Sequence, residues 1–258
     1  RQEYKAKPST FTPEVEEYVR DRLRLKHSPE QIAGVAKKNG DKCVSHERIY
    51  QFIWQDKRKK GTLYLDLRNR GRRYKKRSVI YDKRGIIPNR TDISQRPPEV
   101  ELRERFGDLE IDLIIGKNHK GAILTINDRA TGFGKLRKLD GKDAQQLATA
   151  TIDCLMEWKP FLKTITSDNG KEFAAHELVA KHLNIDFFFA KPYASWQRGS
   201  NENFNRLVRQ YIPKKVDFDC IPTDYINFVE YQLNNRPRKR FKYESPMFMF
   251  NQKVEFST

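Results

Sequence analysis

Apolar residues in the first quarter of the chain recur with the 3.6-residue period of amphipathic helices. One predicted helix follows Thr12 as its cap, and a second runs from a capping box at Ser28 to a stop at Gly40. A third begins after Ser45. Three short helices of this kind favour a helix-turn-helix, whose last helix enters the major groove of DNA. An ordinary three-helix bundle is the alternative.

Beyond residue 98 the pattern changes to that of β-strands. The runs LEIDLIIGK, GAILTIND and GFGKLRKL, separated by turns that contain Gly, predict a three-stranded meander. An amphipathic helix, the strand KTITSD, the helix AAHELVAKHL and the strand IDFFFA follow. A further helix, SNENFNRLVRQYI, is predicted with Ser200 as its cap, so the order of elements is βββαβαβα. The run PTDYINFVEYQLNNRP predicts one more helix near the end.

These changes in pattern divide the chain into four predicted segments. Residues 1–56 form a helix-turn-helix DNA-binding domain, and residues 99–215 form an α/β domain with a mixed sheet. Residues 57–98 lack sustained periodicity and end in RPPEV, where two prolines block both helix and central strand, so they are predicted to be a linker. Residues 216–258 form a C-terminal helical extension.

The charge of the chain is concentrated in its N-terminal part. Residues 1–98 hold 26 of the 51 Lys and Arg residues but only 12 of the 34 Asp and Glu residues. Within this part, residues 57–77 contain 11 basic residues and a single acid. Such a density favours a polyanionic partner, because nucleic acid releases counterions when basic side chains bind its phosphates. A membrane surface is less favoured, since no amphipathic apolar face accompanies the run.

Two sets of DNA contacts follow from this reasoning. The outward residues Arg48 and Gln51 of the third helix are placed to contact base edges. Four residues of the basic run are expected to contact phosphates: Arg72, Arg73, Lys75 and Lys76.

The cysteines and the hydropathy predict a cytoplasmic protein. Cys43, Cys154 and Cys220 are far apart, and neither a CxxC pair nor histidines at zinc-finger spacing accompany them. This argues for a reducing compartment and against a structural metal. No run of about 18 apolar residues is present, which predicts no membrane partner. The chain opens with Arg1 and not Met, from which we expect that an upstream part precedes it.

Three acids occupy positions that suit a metal site. Asp112 lies in an apolar strand, Asp168 ends a later strand, and Glu202 begins a helix. Each has an ordinary explanation: a solvated strand face, the turn Asp-Asn-Gly, and an acid at a helix N-terminus. Together they are the hard oxygen ligands with which a site holds two Mg²⁺ or Mn²⁺ ions for phosphoryl displacement.

The order βββαβαβ followed by a helix resembles the ribonuclease H-like fold of DDE transposases and retroviral-type integrases. The motifs GDLEIDLIIGK, SDNGKEF and PYASWQRGSNENFNRLVRQYIPK resemble the bacterial insertion-sequence family called IS thirty. The resemblance covers most of residues 99–250, with 33 residues between Asp168 and Glu202, as in that family. Leu109 and Ile111 stand where the family usually has Trp and commonly Gly. Members usually carry a further upstream helix-turn-helix, so this chain is expected to be a fragment.

The resemblance implies a transposase that binds insertion-sequence ends, cleaves a DNA strand and transfers it to target DNA. Asp112, Asp168 and Glu202 would be the catalytic acids and would hold two Mg²⁺ or Mn²⁺ ions. Glu110, Asp108 and Asp128 are interpreted as structural or as supporting these ligands. The partner would be double-stranded DNA, and a homodimer or higher multimer is expected on it in the bacterial cytoplasm, associated with the nucleoid.

Residues around the third acid combine stacking and hydrogen-bonding groups that suit a distorted DNA end. Those expected to contact DNA are Trp196, Gln197, Arg198, Asn201, Asn203, Arg206 and Arg209. An ordinary capped loop is the alternative for the segment ASWQRGSN.

Three other functions stay open at this point. A DNA-binding regulator without catalysis would explain residues 1–98 but not the three acids. A structure-specific nuclease of the ribonuclease H-like fold would cleave DNA but not join strands. A retroviral-type integrase is expected to carry a His/Cys zinc module, for which this sequence has no ligand pattern.

Overall fold

The computed structural model describes residues 11–70, 87–192, 194–214 and 216–255, which form two compact units. The helical unit comprises Arg1–Lys76 together with Arg236–Ser245, and the sheet unit comprises Arg77–Asn235 together with Pro246–Thr258. The four-segment division by function stays a prediction.

The helical unit contains the three helices that the sequence predicted. They are α1, Pro13–Arg24; α2, Pro29–Asn39; and α3, His46–Arg58. The caps are confirmed: the Thr12 hydroxyl accepts from the Val15 amide at 3.4 Å, and Ser28 and Gln31 form a reciprocal capping box. Gly40 ends α2 in the left-handed region, at a φ of 76°, which glycine adopts without strain.

The core of this unit lies between the three helices. Val19, Leu23, Ile32, Ile49 and Ile53 are fully buried there. The 3₁₀ turn Leu63–Asp66 packs on α1 and α3, and Lys26 pairs with Asp66. The start of the predicted linker is therefore folded against the helices.

A segment from the far end of the sequence also packs on α2. Tyr243 lies so close to Gly34 that a Cβ at this position would come within 2.0 Å of its ring. Gln31 donates to the Pro237 carbonyl and accepts from the Arg236 guanidinium at 3.0 Å. This packing explains why Arg236–Ser245 belongs to the helical unit.

The helical unit is expected to lose stability when the pH falls from 7.5 to 5. Burial, reinforced by the charges of Arg236, Arg22 and Arg238, lowers the pKa of His27 from 6.5 to about 4. His27 is therefore neutral when folded, and its stabilising contribution, present above pH 6.5, is lost as the unfolded chain takes up the proton. The loss at pH 5 should be roughly 2 kcal/mol. Urea unfolding at both pH values measures it, with hydrogen exchange in α1 and α2 as the local probe.

The control for this prediction is His27→Gln, which cannot titrate. It should remove that part of the pH dependence while leaving the part that comes from carboxylates. An equal pH dependence in the parent and in His27→Gln would contradict the assignment to His27.

The sheet unit contains six strands and six α-helices within the described residues. The strands are β1, Thr91–Asp92; β2, Asp108–Ile115; β3, Ala122–Asp128; β4, Gly134–Leu139; β5, Thr164–Ser167; and β6, Asp186–Phe189. The helices are α4, Glu99–Leu102; α5, Ala144–Leu155; α6, His176–Leu183; α7, Gly199–Tyr211; α8, Thr223–Asn235; and α9, Pro246–Glu255. From β2 to α7 the order is the predicted βββαβαβα.

The six strands form one mixed sheet in the order β1-β6-β5-β2-β3-β4. β2, β3 and β4 are antiparallel, whereas β5 pairs parallel with both β2 and β6. This is the expected ribonuclease H-like arrangement. β1 lies inside the segment predicted to be a linker and pairs parallel with β6. Its two residues are too few to give a periodic signal in the sequence.

The two faces of the sheet have different chemistry. Ile111 and Leu113 point into an apolar core that includes residues of α5 and α6. Glu110 and Asp112 alternate with them, as predicted, and lie on the face that α7 covers. α7 packs closely here, because its Phe204 ring lies over Gly134 of β4, where a Cβ would come within 2.3 Å of the ring.

The start of α7 differs from the prediction. The helix begins at Gly199, so Ser200 lies inside its first turn and the predicted cap is wrong. Arg198 occupies the cap position and makes no side-chain capping hydrogen bond. The fold supplies another acceptor for this helix end, from β2.

None of the helices formed by the described residues combines the length and the apolar character needed to cross a bilayer.

Candidate active site

Asp112 lies in β2, and Asp168 directly follows β5, the parallel strand beside it. Glu110 of β2 is in register with Thr166 of β5, and each aspartate lies two residues further along its own chain. The sheet therefore brings together two acids that are 56 positions apart in the sequence, as the mixed-sheet prediction required.

The guanidinium of Arg198 lies between the two carboxylates. Its Nη1 is 3.4 Å from Asp112 Oδ2, and its Nη2 is 3.6 Å from Asp168 Oδ2. Nη1 also donates to the Ile111 carbonyl at 3.3 Å. Only 13% of the Arg198 side chain is exposed, so one largely buried positive charge is shared by both acids.

Asp168 combines a turn role with a place in this cluster. Its Oδ1 accepts from the Gly170 amide at 2.8 Å, which is the bond expected of an Asp-Asn-Gly turn. Its Oδ2 faces Arg198. The neighbouring Asn169 anchors the turn by donating to the Ala190 carbonyl and accepting from Arg90. The turn thus fixes one carboxylate oxygen and directs the other into the site.

Asp112 accepts two hydrogen bonds in addition to its contact with Arg198. Its Oδ1 accepts from the Leu113 amide at 2.9 Å, and its Oδ2 accepts from Asn205 Nδ2 at 3.0 Å. Burial raises the pKa of Asp112 from 3.8 to about 6; Arg198 opposes this shift, and the nearby charge of Asp168 adds to it. Concentrated negative charge in a largely buried place is the electrostatic condition that a bound cation relieves.

Glu202 does not join the two aspartates in this structure. It lies in the first turn of α7, partly exposed, and its carboxylate pairs with Arg206 one turn later. Among the described residues, no three His, Cys, Asp or Glu side chains gather into a metal-binding group. The two aspartates have the oxygen chemistry that Mg²⁺ or Mn²⁺ requires and already meet at a positive charge, so they fit such an ion. The Glu202 side chain would have to leave Arg206 to complete the set.

Three of the residues predicted to contact DNA lie around the loop before α7. Trp196 is 74% exposed, so its ring is available for stacking. Gln197 accepts from the Lys191 amide at 2.8 Å. Arg198, by contrast, is turned inward to the aspartates.

The DNA-contact candidates on α7 are mostly engaged within the protein. Asn201 is fully buried and accepts from the Thr125 hydroxyl at 3.2 Å, so the prediction that it contacts DNA is corrected to an interior role. Arg209 donates to the Ile115 carbonyl at 2.9 Å and ties α7 to the end of β2. Asn203 lies on the exposed side of the helix.

The predicted DNA contacts of the N-terminal part are only partly described. On α3, Gln51 is exposed, and Arg48 is half-buried with its guanidinium 5.2 Å from the centre of the Phe11 ring. Arg72, Arg73, Lys75 and Lys76 lie outside the described residues.

Several transposases of bacterial insertion sequences are similar to this chain over most of its length. The transposase for insertion sequence element IS4351 of Bacteroides fragilis is 52% identical over 98% of this chain and 77% of its own length. The transposase for IS1086 of Cupriavidus metallidurans is 34% identical, over 89% of this chain and 70% of its own. Transposase InsI for IS30C of Escherichia coli is 32% identical, over 88% of this chain and 62% of its own length. The chain belongs to the IS30 family of transposases.

The IS30-family chain was also compared with protein-family models and with solved structures. No family model matches it. The crystal structure of the catalytic core domain of BIV integrase is similar with a TM-score of 0.47 and 19% identity, over 58% of this chain and 97% of that one.

Sequence reasoning missed two features of this IS30-family site. Asn205, which binds Asp112, follows Glu202 by three residues, and this helical spacing could have placed it on the side of α7 near the strand. The pairing of Arg198 with both acids had no local signal, since its partners lie 86 and 30 positions away in the sequence.

Proposed function

We propose that this IS30-family chain binds the ends of an insertion sequence, cleaves a DNA strand there and transfers the freed strand to a target. The observation that carries the proposal is the pair Asp112 and Asp168, presented side by side by β2 and β5 in a chain with transposase relatives. Neither a turn nor a solvated strand face requires these two acids to share one buried guanidinium.

The proposed reaction consists of two displacements at phosphorus. In the first, water attacks the phosphodiester at the element end, the bond from phosphorus to the 3′ oxygen breaks, and a 3′ hydroxyl is released. In the second, that hydroxyl attacks a target phosphodiester, and a target 3′ hydroxyl leaves. The protein forms no covalent intermediate in this scheme.

In this proposal Asp112 and Asp168 would hold two Mg²⁺ or Mn²⁺ ions, with Glu202 as the third ligand. Such ions supply positive charge for the attacking and leaving oxygens of a phosphoryl transfer. The chain itself orients the carboxylates: the turn at Gly170 directs Asp168, and Asn205 holds Asp112. In the same proposal Trp196, whose ring is exposed, would stack on a base of a distorted end.

DNA recognition is assigned to the helical unit, with α3 as the helix that reads base edges through Arg48 and Gln51. The basic run before the sheet unit would contact phosphates. Because an element has two ends and the described residues of one chain form one candidate site, we propose that at least two copies act together.

The proposal is tested by incubating the protein with DNA that carries the terminal repeats of its own element, in Mg²⁺ or Mn²⁺. Nicked ends followed by joined strands are expected, and EDTA should abolish both products. Binding without nicking would instead identify a regulator, and nicking without joining would identify a nuclease. The same DNA with scrambled repeats is the control for sequence specificity.

A further inference from the structure

A network of buried charged side chains lies beside the candidate site. Glu110 and Arg129 form an ion pair in which the two side chains are 0% and 1% exposed. Arg129 also donates to Glu101 at 2.9 Å and to the Val100 carbonyl at 3.1 Å. Arg96, itself buried, pairs with Glu101 on the other side. Such an arrangement is costly to desolvate, so its partners must be well matched for it to persist.

This network reaches all three segments that carry the candidate catalytic acids. Glu110 lies two residues before Asp112 on β2. Arg96 donates to the Thr166 hydroxyl at 2.9 Å, two residues before Asp168. The other oxygen of Glu110, Oε2, accepts from the amide of Asn201 at 2.8 Å, next to Glu202.

The contact with Asn201 explains how α7 begins without a cap of its own. Arg198 at the cap position makes no capping bond, and the Ser200 hydroxyl has no hydrogen-bond partner within the described residues. Glu110 therefore supplies, from a strand, the acceptor that a capping side chain usually provides. Its negative charge also lies at the positive end of the helix dipole.

We propose that Glu110, oriented by its ion pair with Arg129, is a positioning residue that fixes the first turn of α7 and thereby the place of Glu202 relative to Asp112. It acts through the Asn201 amide and does not touch the reacting groups. This inference rests on the proposed function, because it concerns the third acid of the same site.

The test compares Glu110→Ala with Asp108→Asn. Asp108 is also buried, on the same strand and the same face, but it pairs with Arg105 and accepts from Thr164, away from α7. Replacing either residue removes a buried carboxylate, and only Glu110→Ala removes the acceptor for α7. Glu110→Gln keeps one oxygen that can accept from Asn201 but loses the charge that pairs with Arg129.

Three measurements separate a positioning role from a purely structural one. Without metal or DNA, hydrogen exchange in the first turn of α7 should become at least tenfold faster in Glu110→Ala and stay unchanged in Asp108→Asn. Mn²⁺ affinity and the cleavage rate per folded molecule should each fall by about 10- to 100-fold in Glu110→Ala. Glu110→Gln should lie between Glu110→Ala and the parent in all three, while DNA affinity stays the same throughout.

Equal losses of activity in Glu110→Ala and Asp108→Asn, or unchanged exchange in α7, would overturn the proposal. If Glu110→Ala does not fold, Glu110→Gln decides: exchange and Mn²⁺ affinity equal to those of the parent would reject the positioning role. The exchange measurement needs no catalysis, so a parent protein that failed to cleave would refute the proposed function while leaving the test of Glu110 intact.

Discussion

Asp168→Asn is expected to abolish strand cleavage and joining while leaving DNA affinity almost unchanged. The asparagine keeps an oxygen that can accept from the Gly170 amide, so the turn survives. It cannot supply the negative charge that a divalent cation needs, and losing several kcal/mol of charge stabilisation lowers the rate roughly a thousandfold. Cleavage of terminal-repeat DNA, measured beside DNA binding, checks this.

Asp112→Asn and Glu202→Gln should show the same loss. Asp186→Asn is the matched control, because this exposed aspartate begins the neighbouring strand β6, away from the site. Without metal, the free energy of unfolding of Asp168→Asn should differ from that of the parent by no more than about 1 kcal/mol. The variant loses the pairing with Arg198, but this loss is offset because the repulsion between residue 168 and Asp112 is relieved. Normal cleavage by Asp168→Asn would return this residue to a turn role alone.

The elements, and the strand face on which Asp112 lies, were predictable because their signals are local. The alternation in LEIDLIIG placed Asp112 on one face of a strand. Thr12 and Ser28 indicated the starts of α1 and α2, because both are residue types that cap helices. The alternation is a property of strand geometry, so it survives in any sheet. The resemblance then supplied the strand order that joins β2 to β5.

The missed features depend on contacts between residues that are distant in the sequence. Ser200 is a residue type that commonly caps helices, but the helix starts at Gly199, one residue before it. The acceptor for its first turn is Glu110, which binds the amide of Asn201, 91 positions away. A strand acid with an apolar neighbour on each side looks the same in the sequence whether it binds a metal or an arginine. Only the fold shows that Glu110 faces Arg129 whereas Asp112 faces Arg198.

Arg198→Ala is expected to bind Mn²⁺ more tightly than the parent at pH 8 when no DNA is present. The guanidinium and a divalent cation compete for the same oxygens of Asp112 and Asp168, so removing the guanidinium removes a competitor. We expect a gain of about tenfold, which corresponds to roughly 1.4 kcal/mol. Water-proton relaxation during Mn²⁺ titration measures it. Arg105→Ala, which removes a positive charge paired with Asp108 on the same strand, is the charge-matched control and should leave the affinity unchanged.

The pH dependence of the same variant distinguishes competition from a general loss of positive charge. Arg198 lowers the pKa of Asp112, which burial has raised to about 6, so its removal raises that pKa further. Mn²⁺ binds the ionised carboxylate, and the proton therefore competes more strongly in Arg198→Ala as the pH falls. The gain seen at pH 8 should shrink or reverse at pH 6. A tenfold lower Mn²⁺ affinity of Arg198→Ala at pH 8 would contradict this expectation. It would mean that Arg198 helps to form the cation site and does not compete with the cation for Asp112 and Asp168.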